Sequence, residues 1–447
     1  MTELNEDLRC FRIGPGGCLT GQVRVPGDKS ISHRAVMLAA LAEGTTEIHG
    51  LLEGEDVLAT LAAFRALGIV TNGPERGRLV IEGRGLQGLQ ASPEPFYLGN
   101  SGTAMRLLCG LLAGQRFDSI LTGDVSLSQR PMRRVTEPLL RMGARVAAGA
   151  TGTAPLHIKG GQALHGIHYE MPMASAQVKS CLLLAGLYAK GETCVIESVP
   201  SRDHTERMLT AFGYEVDCRA GRVCLHGGGR LHAMPLLAIP ADISSAAFFL
   251  VGASIAPGSD LCLMEVGLNP TRTGVIAILK RMGADIEVLD KRWMGGEPVA
   301  DLRVRHAALH GIHITPEMVP AAIDEFPALF VAAACAEGET LLQGAEELRV
   351  KESDRIAAMA AGLQALGITA EPQVDGIRII GGVPQGGRLH ARGDHRIAMA
   401  FTMMALRADA EIIIDDCRNV ATSFPGFVEL AASVGLGIRA DVVDARR

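Results

Sequence analysis

The feature that most constrains this chain is a repeat. An apolar helix that ends in glycine and runs into an extended apolar stretch recurs six times, as FRALGIVTN, LRMGARVAA, TAFGYEVDC, KRMGADIEV, QALGITAEP and ASVGLGIRA. The glycines are Gly68, Gly143, Gly213, Gly283, Gly367 and Gly435, spaced 75, 70, 70, 84 and 68 residues apart. Self-similarity at a period near 70 means one supersecondary unit used six times, with glycine taking the left-handed turn out of each helix.

A second set of segments falls between these: an apolar helix, a Gly or polar break, then a β-rich run. Examples are SISHRAVMLAALAEGTTEIHG, DISSAAFFLVGASIAPGSDLCLM and IDEFPALFVAAACAEGETLLQG. These helices are apolar on nearly every face, which predicts burial inside a layer, whereas EDVLATLAAFRALG and DRIAAMAAGLQALG are amphipathic and belong outside. Each period therefore predicts strand, buried helix, strand, outer helix and further strands. Six copies predict two domains of three, each burying its inner helices together. About a dozen residues follow Gly435, too few to finish the sixth copy, so the first two dozen, including CFRIGPGGCLTGQVRV, are expected to complete it. One domain is then discontinuous, residues 1–24 plus 241–447, and residues 25–240 form an inserted second domain.

A net charge of −6 without a polybasic run gives no electrostatic reason to bind nucleic acid or anionic membrane. The ten cysteines contain no C-x-x-C, and several lie in apolar windows such as LLCGLL and AAACAE, so core thiols are expected, not zinc ligands or disulfides. The N-terminus MTELNEDLRC is acidic and has no apolar core of a signal peptide, and no long uncharged span occurs elsewhere. A cytoplasmic protein, monomeric, is the expectation.

The unusual polar residues collect at helix starts, where free N–H groups and the dipole favour anions. GDKSISHR offers Lys29, Ser30 and Arg34; GNSGTAMR offers Asn100, Gly102, Thr103 and Arg106; MASAQVKS offers Ser175, Gln177 and Lys179; GDHR opens the sixth buried helix. The outer helices add SQRPMRR, PSRDHTER, NPTRTG and RVKESDR, with Arg130, Arg202, Arg272, Lys351 and Arg355. So many cationic starts in a net-acidic chain predict a cleft for a substrate bearing several negative charges. Asp324/Glu325 and Glu352 are the candidates for proton work, although Asp324 also reads as a helix cap before Pro327. Asp28 stands where a P-loop needs glycine, and no G-x-S-x-G elbow or dinucleotide fingerprint occurs. Metal, acyl-enzyme and dinucleotide chemistry are disfavoured.

The motifs GDKSISHR, LGNSGTAMR, SQRPM, MASAQVKS, SRDHTE, IDEFP, RVKESDR, GDHRIAM and ATSFP, in this order across almost the whole chain, resemble the 5-enolpyruvylshikimate-3-phosphate (EPSP) synthase family, in its class II branch. The resemblance implies an α/β fold of two inside-out α/β barrel domains, the enolpyruvyl transferase fold, each built from three βαβαββ units. It implies transfer of the enolpyruvyl group of phosphoenolpyruvate to the 5-hydroxyl of shikimate 3-phosphate, with no metal or organic cofactor, and glyphosate as competitor of phosphoenolpyruvate.

By position, Lys29, Asp324 and Glu352 are the implied catalytic residues. Lys29, Ser30, Arg34, Ser175, Ala176, Gln177, Arg202, Asp324 and Lys351 match the shikimate 3-phosphate contacts. Lys29, Asn100, Gly102, Arg130, Gln177, Arg355 and Arg396 match the phosphoenolpyruvate contacts. Two positions depart from the class I pattern: Thr422 replaces a lysine, and SRDHTE lacks a ring-stacking tyrosine. The related UDP-N-acetylglucosamine enolpyruvyl transferase carries a loop cysteine where this chain has Val125 and an asparagine where it has Ser30. A non-catalytic anion-binding scaffold would keep the sixfold core without needing Lys29, Asp324 and Glu352 together.

Overall fold

The computed structural model describes residues 8–219 and 221–443, so the acidic first seven residues read above lie outside the described ones. Twelve α-helices occur among the described residues: α1 (Lys29–Leu41), α2 (Glu55–Ala66), α3 (Gly102–Ala113), α4 (Arg133–Arg141), α5 (Ala176–Gly186), α6 (His204–Ala211), α7 (Ile243–Ile255), α8 (Gly274–Arg281), α9 (Phe326–Ala334), α10 (Arg355–Ala365), α11 (His395–Met404) and α12 (Phe427–Ser433). Odd-numbered helices are the inner set and even-numbered ones the outer set. Every residue of α7 and α9 is buried, as an all-round apolar helix requires. In α2 one stripe is buried, carrying Val57, Leu61 and Phe64.

Six four-stranded sheets accompany the helices, all with one topology. In the second repeat, Phe96–Tyr97 lies parallel to Ser119–Thr122, and Leu156–Lys159 pairs antiparallel with both Ser119–Thr122 and Arg145–Ala147. Each repeat is thus a βαβαββ unit, and the sheets are separate ladders among the described residues. The 84-residue interval before Gly367 is accounted for by a long hairpin, Asp285–Met294 with Glu297–Arg305, where other repeats use three to seven residues a strand.

The chain divides into two compact units. One comprises the described residues up to Pro26, Ala241–Arg292 and those from Pro298 on; the other comprises Gly27–Pro240 and Trp293–Glu297. Each has its own apolar core, centred on α7, α9 and α11 in the first and on α1, α3 and α5 in the second. Contact is close enough in the second that a methyl on Gly110 of α3 would lie 2.1 Å from the Cys181 carbonyl oxygen of α5.

Linear repeat counting does not foresee how the crossings are made. Thr20–Val23 leads in sequence into α1, yet it pairs with Asp260–Gly267, the strand after α7. Leu236–Ala238 leads into α7, yet it pairs with Glu43–His49, the strand after α1. Leu8–Ile13 lies antiparallel between Ile412–Asp415 and Ile438–Val443, supplying the sixth repeat with its fourth strand.

The expectation of uniformly reduced cysteines is corrected. Cys194 and Cys224 face each other in antiparallel register and form a disulfide, while the other eight are free. Their separation in sequence hid this, because strand register alone made them neighbours. No helix among the described residues is long and apolar enough to cross a membrane.

All six repeat glycines have positive φ, from +77° at Gly367 to +112° at Gly435. At Gly435 an added methyl would also meet the Cys18 carbonyl oxygen at 2.4 Å, a backbone atom that cannot swing away. Gly191 has φ +88° with nothing within 4 Å. Gly191→Ala should therefore lose only the left-handed penalty, about 1–2 kcal/mol, and Gly435→Ala clearly more, as read from urea denaturation midpoints of the two variants.

Candidate active site

The sequence-predicted residues fall into two groups, one in each unit. In the unit built on α1, α3 and α5, side chains cap the inner helices: Asp28 accepts from Ile31 N at 2.9 Å and Ser101 from Ala104 N at 3.1 Å. Lys29, the first residue of α1, is partly exposed, with its Nζ 3.1 Å from the buried Asp56 of α2. Asp56 was missed by the sequence reading, because an acid in a helix first turn looks like ordinary dipole compensation. Ser30 is half-buried at the same end.

A second cluster forms around the start of α3. Asn100 donates to Asp124 at 2.8 Å and accepts from Arg130; Arg106 donates to Gln177, whose amide donates to Thr103 Oγ1 at 3.0 Å. Gly102 sits between the two arginines: a methyl there would lie 3.2 Å from Arg106 Nη1 and 3.2 Å from Arg130 Nη1. Two guanidinium groups beside a helix N-terminus that has no side chain in the way make a site suited to a small anion. Ser175 caps α5, and Ala176 and Gln177 form its first turn, all half-buried. Arg202 is half-buried on a loop whose Ser201 N lies 3.3 Å from Glu197 Oε2.

Other cations that read as ligand donors are turned inward. Arg34 is 4% exposed and donates to Thr205 Oγ1 at 2.7 Å, Ser180 Oγ at 2.7 Å and the Ser30 carbonyl at 2.8 Å. Lys179 Nζ lies 2.7 Å from both Glu197 and Glu206 with its side chain 2% exposed. Burial lowers the Lys179 pKa, but the two carboxylates outweigh it and leave it raised. These residues tie helices together.

In the other unit, the acid and base candidates meet at one guanidinium. Arg355, the first residue of α10, is 1% exposed; its Nη2 is 2.7 Å from Glu352 Oε2, its Nη1 3.5 Å from Asp324 Oδ1 and its Nε 2.8 Å from Asp394 Oδ2. Burial opposes the charge on Arg355, yet Asp394, Glu352 and Asp324 overcome it and hold its pKa above the usual arginine value. Asp394 is fully buried and also caps α11 at Arg396 N and accepts from Ser353 Oγ at 3.0 Å. Lys351 Nζ stands 3.8 Å from Asp324 Oδ1, and Arg396 Nη1 donates to the Asp324 carbonyl at 2.8 Å. Asp324 is therefore not the helix cap of the alternative reading; Glu325 holds that position, without a capping bond. Arg272 is 3% exposed and bonded to Ser244 at 2.6 Å, so NPTRTG supports the scaffold. Thr422 is buried with its hydroxyl on the Asn419 carbonyl at 2.7 Å.

Among the described residues, two groups of side chains come close enough to share a metal, Asp203–His204–Glu297 and His168–Glu192–Cys194. Cys194 is bonded to Cys224, and Arg207 already lies 2.8 Å from Asp203 and 3.9 Å from Glu297. Neither group recommends itself for a cation.

The fold is the one seen in the enolpyruvyl transferases: NikO from Streptomyces tendae, at 18% identity, superimposes with a TM-score of 0.79 over 98% of this chain and all of that one. Within that class, the family model for EPSP synthase (3-phosphoshikimate 1-carboxyvinyltransferase) matches residues 13–430, and the chain belongs to this family. The 3-phosphoshikimate 1-carboxyvinyltransferase of Nitrosococcus oceani is 65% identical, covering 98% of each chain, and that of Alkalilimnicola ehrlichii 67%, covering 96% of each. EPSP synthase from Acinetobacter baumannii is 54% identical, with a TM-score of 0.88 over 97% of this chain and 100% of that one.

One buried group in the first cluster titrates abnormally. His33 of α1 is fully buried between Thr60 Oγ1 at 2.8 Å and Ser101 Oγ at 3.5 Å. Burial, then Lys29 and Arg34, push its pKa well below 6.5 against the weaker pull of Asp28. The unfolded chain takes up this proton near pH 6.5 and the folded chain does not, so acidification favours unfolding. Between pH 7.5 and 5.5 the protein should lose stability relative to its His33→Gln variant, by up to about 1.4 kcal/mol per pH unit below pH ~6.5; urea titrations across that range check it.

Proposed function

We propose that this chain transfers the enolpyruvyl group of phosphoenolpyruvate to the 5-hydroxyl of shikimate 3-phosphate, releasing phosphate. Family membership supports the reaction. The observation that carries the residue roles is Arg355, on which the carboxylates of Asp324 and Glu352 converge. Asp324 takes the proton of the 5-hydroxyl as the hydroxyl oxygen attacks C2 of phosphoenolpyruvate, and Glu352, which enters this step protonated, delivers its proton to the methylene carbon. The product of this step is a tetrahedral phospho-ketal. Returning the methyl proton to Glu352 while Asp324 gives the proton it took to the bridging oxygen restores the double bond and expels phosphate. Lys29, Lys351 and the arginines stabilise the developing charge.

In the unit of α1, α3 and α5, we assign Lys29, Ser30, Arg34, Ser175, Ala176, Gln177 and Arg202 to shikimate 3-phosphate. Arg34 acts there through the helices it ties. Asn100, Gly102, Arg130 and Gln177 are assigned to phosphoenolpyruvate, as are Arg355 and Arg396 in the other unit. Phosphate release from shikimate 3-phosphate plus phosphoenolpyruvate tests the reaction; release only with UDP-N-acetylglucosamine, or with neither acceptor, overturns it. Asp324→Asn should keep substrate binding and lower kcat by roughly 10²–10⁴. Unchanged turnover in that variant removes Asp324 from the chemistry.

Glyphosate is assigned to the phosphoenolpyruvate subsite, and Gly102 leaves it room. Adding a methyl there displaces the ends of Arg106 and Arg130, flexible atoms that can yield, so the protein should fold. Both guanidinium groups then shift within the anion site. Tightening of this kind costs about 1–3 kcal/mol against the ligand that fills the space more completely. The wild-type enzyme should be glyphosate-sensitive, and Gly102→Ala should raise the glyphosate inhibition constant more than the KM for phosphoenolpyruvate. Equal losses for both ligands contradict the steric account.

A further inference from the structure

We propose that Glu325 is a positioning residue that aims Arg396 at its anion, an inference that rests on the assignment of Arg396 to phosphoenolpyruvate. Glu325 is 1% exposed at the start of α9, where Pro327 follows, and its side chain makes no capping bond. A carboxylate placed so deep needs charged or hydrogen-bonding partners. It finds Ser244 Oγ, which donates to Oε1, and two cations near the same oxygen, Arg396 Nη1 at 3.8 Å and Arg272 Nη2 at 3.9 Å.

The two arginines are held differently. Arg272 is fixed by Asp242 at 3.2 Å and Ser244 at 2.6 Å, with its side chain 3% exposed. Arg396 is in the first turn of α11, where the helix dipole disfavours a cation, and its side chain is 11% exposed. One nitrogen, Nη1, is pinned between the Asp324 carbonyl and the Glu325 carboxylate. Among the described residues its Nε and Nη2 have no protein partner, which leaves that edge of the guanidinium for a ligand. Adjacent residues thus divide the work: the Asp324 carboxylate turns to Lys351 and Arg355, while its carbonyl and the Glu325 carboxylate orient Arg396.

The test is steady-state kinetics on Glu325→Gln, Arg396→Gln and the double variant, with both substrates varied. Glu325→Gln keeps the side-chain shape and an acceptor for Ser244 and removes only the charge. The expected result for Glu325→Gln is a phosphoenolpyruvate KM raised about tenfold, with the shikimate 3-phosphate KM within about twofold, and a double variant no worse than Arg396→Gln alone. Additive effects, or equal rises in both KM values, overturn the inference. If Arg396→Gln raises the phosphoenolpyruvate KM and Glu325→Gln leaves it unchanged, the inference alone fails. If Arg396→Gln leaves that KM unchanged, the assignment of Arg396 fails and the inference with it. Should Glu325→Gln not fold, Ser244→Ala loosens the same carboxylate: a smaller rise confined to the phosphoenolpyruvate KM supports the inference, and no rise overturns it.

Discussion

A helix that is apolar on every side can exist only in a core, and its unavoidable polar surfaces are its two ends, the first turn with backbone N–H groups and the last with carbonyl groups that have no partners within the helix. Much of the structure follows from that constraint. Five of the six inner helices satisfy the first turn with a side-chain cap, Asp28, Ser101, Ser175, Asp242 and Asp394. The remaining one begins Phe326-Pro327, so one N–H is absent, and Glu325 at its cap position faces Ser244 instead. Chemistry gathers at these ends because they are the places in an apolar bundle where polar side chains have work to do.

Within the unit carrying the proton-transfer candidates, Arg355 has a comparable role for charge. A guanidinium this deeply buried is stable only because carboxylates surround it, and those carboxylates are fixed in turn by its rigid fork. Asp394 is the inner anchor, while Asp324 and Glu352 are more exposed, with side-chain exposures of 17% and 23%. A single cation therefore sets the positions of both candidates for proton transfer. In the other unit the arginines beside Gly102 are held in part by amides, Arg106 by Gln177 and Arg130 by Asn100.

How much of this was readable in advance depended on whether the information was periodic. The six repeats, the inner and outer helices and the motifs at helix starts all follow from spacing and apolarity, and the structure has them. Direction around an all-apolar helix is not periodic information, which is why Arg34 and Lys179 looked like ligand donors until their partners were seen on neighbouring helices. Asp56 was overlooked for the converse reason, since an acid at a helix start has an ordinary explanation in dipole compensation, and Asp394 stood out only as one of the ionisable residues of GDHR, without its pairing to Arg355. Pairings between distant strands were equally hidden: the exchange of Thr20–Val23 and Leu236–Ala238 between repeats, and the meeting of Cys194 with Cys224, are matters of register.

The exchanged strands also give the two units different histories on the ribosome. The unit of α1, α3 and α5 closes its first sheet with Leu236–Ala238, so nearly all of it, Trp293–Glu297 excepted, is available once residue 240 has emerged. The other unit starts earlier and finishes last. Leu8–Ile13 is among the first segments made, yet its ladder partners are Ile412–Asp415 and Ile438–Val443, some four hundred residues later. Until then that apolar strand has two unpaired edges, and Thr20–Val23 waits for Asp260–Gly267. Synthesis imposes a long interval in which half of the molecule is folded and the opening strands of the other half are vulnerable to wrong partners.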